Sequence, residues 1–184
     1  TICNWALSED VKAKELIKLK RGLYLFTKDL RKGIVSKFLI ANKMYRPSYI
    51  SFESALSYHG WIPEAVYTTT SGCYRRKKKY FENDLGDFSY DYVPCADFFL
   101  GVTHDKSKGG VLIANPLRGL FDLVYLRKKK YSSIEGLSKD LRIDRQILKE
   151  EVGGYSVEEI EDLAKQYKKR NVMDFCRLVI RECK

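Results

Sequence analysis

Apolar and polar residues alternate along Leu16-Ile17-Lys18-Leu19-Lys20, and a second short apolar run, Leu23-Tyr24-Leu25-Phe26, follows Arg21-Gly22. Alternation with period two marks a strand, and Gly22 supplies the backbone freedom of a tight turn. The pattern predicts a small hairpin from which Lys18, Lys20 and Arg21 project. A helical period takes over across residues 30–43, with Ile34, Phe38 and Ala41 on one side and Pro47 expected to end it. Ser51 is a natural N-cap for the next helix. Ile50 and Ala55 stand at staple positions, Phe52, Ala55, Leu56 and His59 form a stripe, and Gly60 stops it. From Val66 the period shortens again. Residues 66–70 are rich in β-branched side chains, 83–86 (Asn-Asp-Leu-Gly) read as a turn, and 88–92 alternate aromatic and polar groups. Residues 98–102 and 111–114 are further strand candidates, with Gly109-Gly110 turning between them. Short strands in meander order favour an antiparallel or mixed sheet.

The second half reads as helical. Asn115 caps a helix that has Pro116 at its first position, and Leu117, Leu120, Phe121 and Val124 follow at i, i+3, i+4 and i+7. Gly119 inside that helix suggests close packing against the sheet. Ser133 and Asp144 are expected caps, Ser156-x-x-Glu159 is a capping box ahead of Ile160, Leu163, Ala164 and Tyr167, and Asn171 is expected to cap a last helix. The fold class expected is α+β (mixed α/β). A partial N-terminal winged helix-turn-helix is followed by a small antiparallel or mixed sheet with helices and a helical C-terminal tail. Residues 1–30 form the winged-helix remnant and residues 31–184 the α/β unit. The winged-helix expectation rests on a helix followed by a basic hairpin, the order in which a recognition helix enters the major groove and a wing touches phosphates. Residues 1–8 read as the interior of that recognition helix, so sequence is expected before Thr1.

Composition narrows the classes. The 184 residues are 45% hydrophobic and 32% charged, the balance of a globular chain rather than a disordered one. No run approaches the roughly 20 apolar residues of a membrane span, and no signal-peptide pattern is present. Five cysteines, an odd number with no C-x-x-C pair, suit a reduced cytoplasmic protein. Two histidines are too few to expect a structural zinc site, and no phosphate-loop or dinucleotide motif predicts a cofactor. The net charge of +10 is uneven: +7 in residues 1–50, +3 in 51–150 and zero in 151–184. A basic N-terminal quarter points to a polyanion partner, although solubility alone would also account for it.

Three basic clusters are candidates for phosphate contact. The first joins Lys12 and Lys14 to Lys18, Lys20 and Arg21. The second is Arg75-Arg76-Lys77-Lys78-Lys79, flanked by Tyr74 and Tyr80, which could equally be a charged sheet loop. The third, residues 127–130, fits a helix C-terminus, where cations are favoured without any ligand. Base reading would fall to Asn4, since Asn pairs bidentately with adenine, while Trp5 and Leu7 suggest that part of that helix is buried. Enzymatic chemistry is not expected. His59 reads as a core or capping residue, His104-Asp105 has no marked nucleophile nearby, and Asp122 is expected to pair with Arg118 four residues earlier.

Several segments carry a family resemblance. Arg21-Gly22-Leu23-Tyr24, residues 47–51 (PSYIS), residues 54–67 (SALSYHGWIPEAVY), Gly86-Asp87-Phe88-Ser89-Tyr90, Phe98-Phe99-Leu100-Gly101 and the stretch from Asn115-Pro116 to Asp122 are similar to the AbiEi family. These are antitoxins of type IV toxin–antitoxin systems. The match runs well from Leu16 to Tyr125 and loosely through the helical tail, and Leu117 and Gly119 depart from the usual family pattern. The resemblance implies a winged-helix DNA-binding unit ahead of an α/β antitoxin unit. It also implies repression of the protein's own operon through double-stranded operator DNA, and a nucleotidyltransferase-like toxin as functional partner without a stable complex. On the residues alone two other readings stay open: an interaction module whose basic face meets an acidic protein, and a single-strand or RNA binder using Tyr74 and Tyr80 as stacking platforms.

Overall fold

The computed structural model describes residues 2–63 and 65–184, the side chains of residues 2–4 and 108 excepted. Helix α1 (Ile2–Lys12) leads into the hairpin β1 (Leu16–Lys20) and β2 (Leu23–Phe26), which turns through Arg21-Gly22 with Gly22 at φ 75°. A 3-10 turn (Lys28–Leu30) precedes α2 (Lys37–Met44), β3 (Ser48–Ile50) and α3 (Phe52–Tyr58). Then come β4 (Thr69–Cys73), β5 (Lys79–Asn83), β6 (Gly86–Tyr92), β7 (Val102–Asp105) and β8 (Val111–Ala114). The tail holds α4 (Pro116–Arg127), α5 (Ile134–Leu141), α6 (Arg145–Gly153), α7 (Val157–Gln166) and α8 (Arg170–Cys183). With 46% helix and 21% strand, the fold is α+β.

Six strands form one mixed sheet in the order β5-β6-β4-β3-β8-β7. The pairs β4/β6 and β3/β8 are parallel and the rest antiparallel. Side chains alternate across it. On one face Tyr90 donates from its hydroxyl to the Ala41 carbonyl of α2 at 2.8 Å. On the other, Thr70 donates to the Ser51 carbonyl at the start of α3 at 2.7 Å, and Tyr49 reaches α4. The sheet therefore lies between two layers. On one side α2 covers a core of Ile40, Ala41, Met44, Phe88 and Tyr90, which Leu19, Leu23 and Leu25 of the hairpin extend. On the other, α3, α4 and the helical tail enclose Leu56, Trp61, Leu120, Phe121, Leu137, Ile160 and Val179. The hairpin expected to close the first unit thus shares its apolar residues with the core of the second.

Many local signals act as read. Asn115 accepts from the Arg118 amide at 2.7 Å, Ser133 and Asp144 cap α5 and α6, and Ser156 and Glu159 close both bonds of the capping box. Other expectations are corrected. The helix expected from residue 30 starts at Lys37, because Gly33 takes φ 84° and Ser36 supplies the cap; Ile34 is left 92% exposed. The strand expected at 66–70 runs three residues later, and 98–102 is a turn that enters β7 only at Val102. Asn171 lies one residue inside α8, whose N-cap is Lys169. Gly119 packs on α3 rather than on the sheet: a methyl group there would stand 3.3 Å from the Ala55 Cβ. Strand β3 was not anticipated, because three residues buried on both faces carry no alternation to detect. Among the described residues no helix is long and apolar enough to cross a membrane.

Candidate nucleic-acid interface

The hairpin presents its cations to water. Lys18 and Arg21 are exposed and Lys20 half-exposed, while Leu16 and Leu19 on the same strand are buried. Lys12 closes α1 with its ammonium 2.8 Å from Glu9, and exposed Lys14 occupies the connecting turn at φ 59°. These five residues belong to one helix–hairpin unit. The Asn4 side chain lies outside the described ones. Trp5 is 68% exposed, contrary to the buried role expected of it, because α1 packs chiefly against β1.

The second cluster stands elsewhere. Arg75, Arg76, Lys77 and Lys78 fill the connection between β4 and β5, and half-buried Lys79 begins β5. At the far end of β5, Asn83 donates to the Leu19 carbonyl at 3.2 Å and so holds the hairpin. Five residues of strand, about 13 Å, therefore separate the two clusters. Within the loop the Arg75 guanidinium lies 5.7 Å from the Tyr45 ring centre and Arg76 5.9 Å from that of Tyr92. Lys78 pairs with Asp91 at 3.1 Å. Tyr74 is exposed, with its ring nearly perpendicular to that of Phe98, whereas Tyr80 sits on β5, outside the cleft that the loop borders. That cleft also takes in Tyr92, Gln166 and Lys168, which the local sequence did not single out. The basic run 168–170 was the one available signal; the meeting itself spans some 75 to 95 residues of chain.

The third cluster is engaged structurally. Arg127 bridges Glu53 at 3.2 Å and Asp140 at 3.4 Å, and Lys129 pairs with Asp140 as well. His59 is the C-cap residue of α3, its Nε2 2.9 Å from the Ala114 carbonyl, so that nitrogen carries the proton.

Beneath the sheet lies a polar core. Arg118 and Asp122, both 0% exposed, pair one helical turn apart, with Nε 3.0 Å from Oδ1. The Asp122 carboxylate also accepts from Tyr167 on Oδ1 at 2.5 Å, and from Tyr49 at 2.9 Å and Ser51 at 2.6 Å on Oδ2. Arg118 donates further to the Leu100 carbonyl at 2.8 Å, the Tyr49 hydroxyl at 2.6 Å and the Cys95 sulfur at 3.0 Å. Burial opposes the charge of Arg118, but Asp122 and the flanking phenols outweigh it and hold the guanidinium protonated. Burial first, and Asp122 second, lift the Tyr49 and Tyr167 phenols well above their ordinary range. The carboxylate oxygens are filled by four donors and closed to solvent, which makes this a clamp joining β3, α3, α4 and the end of α7. A methyl group on Gly72 would meet the Tyr49 ring at 2.9 Å, so the neighbouring strand leaves room for that ring only as glycine. The ion pair was legible from the i, i+4 spacing; its three hydroxyl partners were not. Among the described residues no group of three His, Cys, Asp or Glu side chains could hold a metal ion.

Compared with models of known protein families and with curated proteins, the chain matches none.

Proposed function

We propose that the protein is a cytoplasmic DNA-binding repressor of the AbiEi antitoxin kind, which contacts the phosphates of its own operator through the hairpin and counteracts a nucleotidyltransferase-like toxin. One observation carries the DNA reading: α1 runs directly into a hairpin that buries Leu16 and Leu19 and turns Lys18, Lys20 and Arg21 to water. That is the order and charge of a recognition helix followed by a wing. Phosphate contacts of this sort set position rather than sequence, so the hairpin supplies affinity and α1 base discrimination. The resemblance carried in order by segments from Arg21 to Asp122 is the support for the antitoxin part.

The test is fluorescence anisotropy on duplex DNA from the protein's own upstream region at several salt concentrations. Replacing Lys18, Lys20 and Arg21 together by Ala removes up to three phosphate contacts. The slope of log K against log salt should fall by about 2 to 3, since each contact contributes roughly 0.9. Affinity should fall alike on specific and unrelated duplexes. An unchanged slope excludes the hairpin as a wing.

A further inference from the structure

The loop between β4 and β5 takes no part in that reading, and its surroundings have a chemistry of their own. It borders an open cleft of about 530 Å³ at one end of the sheet, where Tyr74, Arg75, Arg76, Tyr92 and Lys168 converge from the ends of β4 and β6 and the turn after α7. The volume lies in the range of small-ligand pockets.

Three features give the cleft its preference. The first is orientation. Both guanidinium groups stand over tyrosine rings, Arg75 over Tyr45 and Arg76 over Tyr92, which biases where the two charges sit beside the cleft. The second is unbalanced charge. Among the described residues Arg75, Arg76, Lys77 and Lys168 have no carboxylate partner, whereas Lys78 next to them is neutralised by Asp91. Lys168 follows the C-cap Tyr167 at φ 51°, a position where glycine is usual, so the backbone bends there with a cation in place. Gln166 is fixed too. Its Oε1 accepts from the Asp97 amide at 3.0 Å, and its NH₂ has no acceptor among the described residues. The third is an open aromatic face. Tyr74 is 58% exposed, yet its ring packs nearly perpendicular to that of Phe98 with centres 5.7 Å apart.

Cations and amide donors around a fixed aromatic ring match a phosphate joined to a base. Inside a duplex each base is stacked on both faces, so a base that lies on Tyr74 is unpaired or at a duplex end. We infer that this cleft binds single-stranded nucleic acid, with a base stacked on Tyr74 and its phosphates held by Arg75, Arg76 and Lys168. The site is independent of the hairpin.

The experiment uses the full chain and fluorescein-labelled 12-mers of oligo(U) and oligo(dT), a duplex of equal length, and unlabelled UMP as competitor. In the triple hairpin variant, which lacks the duplex contacts proposed above, the single strands should bind at least tenfold tighter than the duplex. Tyr74→Leu keeps an apolar contact to Phe98 but removes the ring, and should weaken single-strand binding roughly 5- to 150-fold, the contribution of one stacked base. Arg76→Ala and Lys168→Gly should each lower the salt slope by about 0.7. Glycine suits the backbone at residue 168, so the second variant keeps its fold, which an unchanged far-ultraviolet dichroism spectrum and melting curve check. The triple hairpin variant should bind single strands as the unmodified chain does, which separates failure here from failure of the operator reading. Equal or tighter duplex binding by the triple hairpin variant, an unaffected Tyr74→Leu variant, or UMP binding as tightly as the 12-mers would each overturn the assignment.

Discussion

Replacing Asp122 by Asn perturbs the polar core at its centre while keeping volume. The amide oxygen can accept two of the four bonds that the carboxylate takes from Arg118, Tyr167, Tyr49 and Ser51. Its NH₂ then faces the other two donors, which lose their acceptor. Arg118 stays buried at 0% exposure with no carboxylate against it. Removing one partner of a buried pair costs about 3–5 kcal/mol, and each stranded hydroxyl about 1–3 kcal/mol. Because the groups share one carboxylate these losses do not add, and about 4 kcal/mol is the expected net. A domain of ordinary stability holds about 5–15 kcal/mol in all, and the midpoint of thermal unfolding should fall by about 8–16 °C. Urea titration followed by the fluorescence of Trp61, which is buried in the same core, measures the change directly. A second variant separates charge from packing. Replacing the whole set, Arg118→Met, Asp122→Leu, Tyr49→Phe, Tyr167→Phe and Ser51→Ala, leaves no unpaired charge and no stranded hydroxyl and should be more stable than Asp122→Asn. An Asn variant within about 1 kcal/mol of the parent protein, or a fivefold variant less stable than the single one, refutes the clamp.

Two further outcomes follow from the same core. As a helix cap, Asp is as good as Ser, but Ser51 gives its hydroxyl to Asp122 and makes no cap bond. Ser51→Asp should therefore place two carboxylates together and cost about 3 kcal/mol or more, against about 1–2 kcal/mol for Ser51→Ala; equal melting of Ser51→Asp and the parent protein would restore the simple cap. Stability should also fall at alkaline pH. Burial lifts the Cys73 and Cys176 thiols from 9.0 to about 11, and lifts Tyr49 and Tyr167 well above 10.0. The folded state thus retains protons that the unfolded chain releases. The stabilisation is full below pH 9 and is lost as pH rises, by about 1.4 kcal/mol per pH unit for each group. Urea midpoints should decline from pH 9 on the two thiols, and more steeply above pH 10 when the phenols join. Tyr49→Phe with Tyr167→Phe should soften only the second limb, and a flat profile from pH 8 to 11 would contradict the assigned directions.

Where the sequence alone sufficed, the interaction is local. The caps at Asn115, Ser133, Asp144 and Ser156 act within a helical turn, the Arg21-Gly22 turn within four residues, and the stripe at Leu117, Leu120, Phe121 and Val124 is set by helical period. The α+β class followed from such signals. The helix ahead of Lys37 is cut short by local signals, Gly33 and Ser36, that the apolar pattern overrode. The other misplaced features depend on neighbours far along the chain. The three residues of β3 are a strand only because β4 and β8 supply their hydrogen bonds. Ser51 gives up its cap bond because α4 brings a carboxylate within 2.6 Å, and Asp122 meets hydroxyls from 45 to 73 residues away. The three basic clusters look alike as composition. Tertiary structure alone ties Arg127 and Lys129 into ion pairs, seats the hairpin at one end of β5 and brings Lys168 to the loop at the other. Local chemistry is written in spacing, which a chain carries whether folded or not. Which charge finds a partner, and which is left facing water, is decided when the layers close.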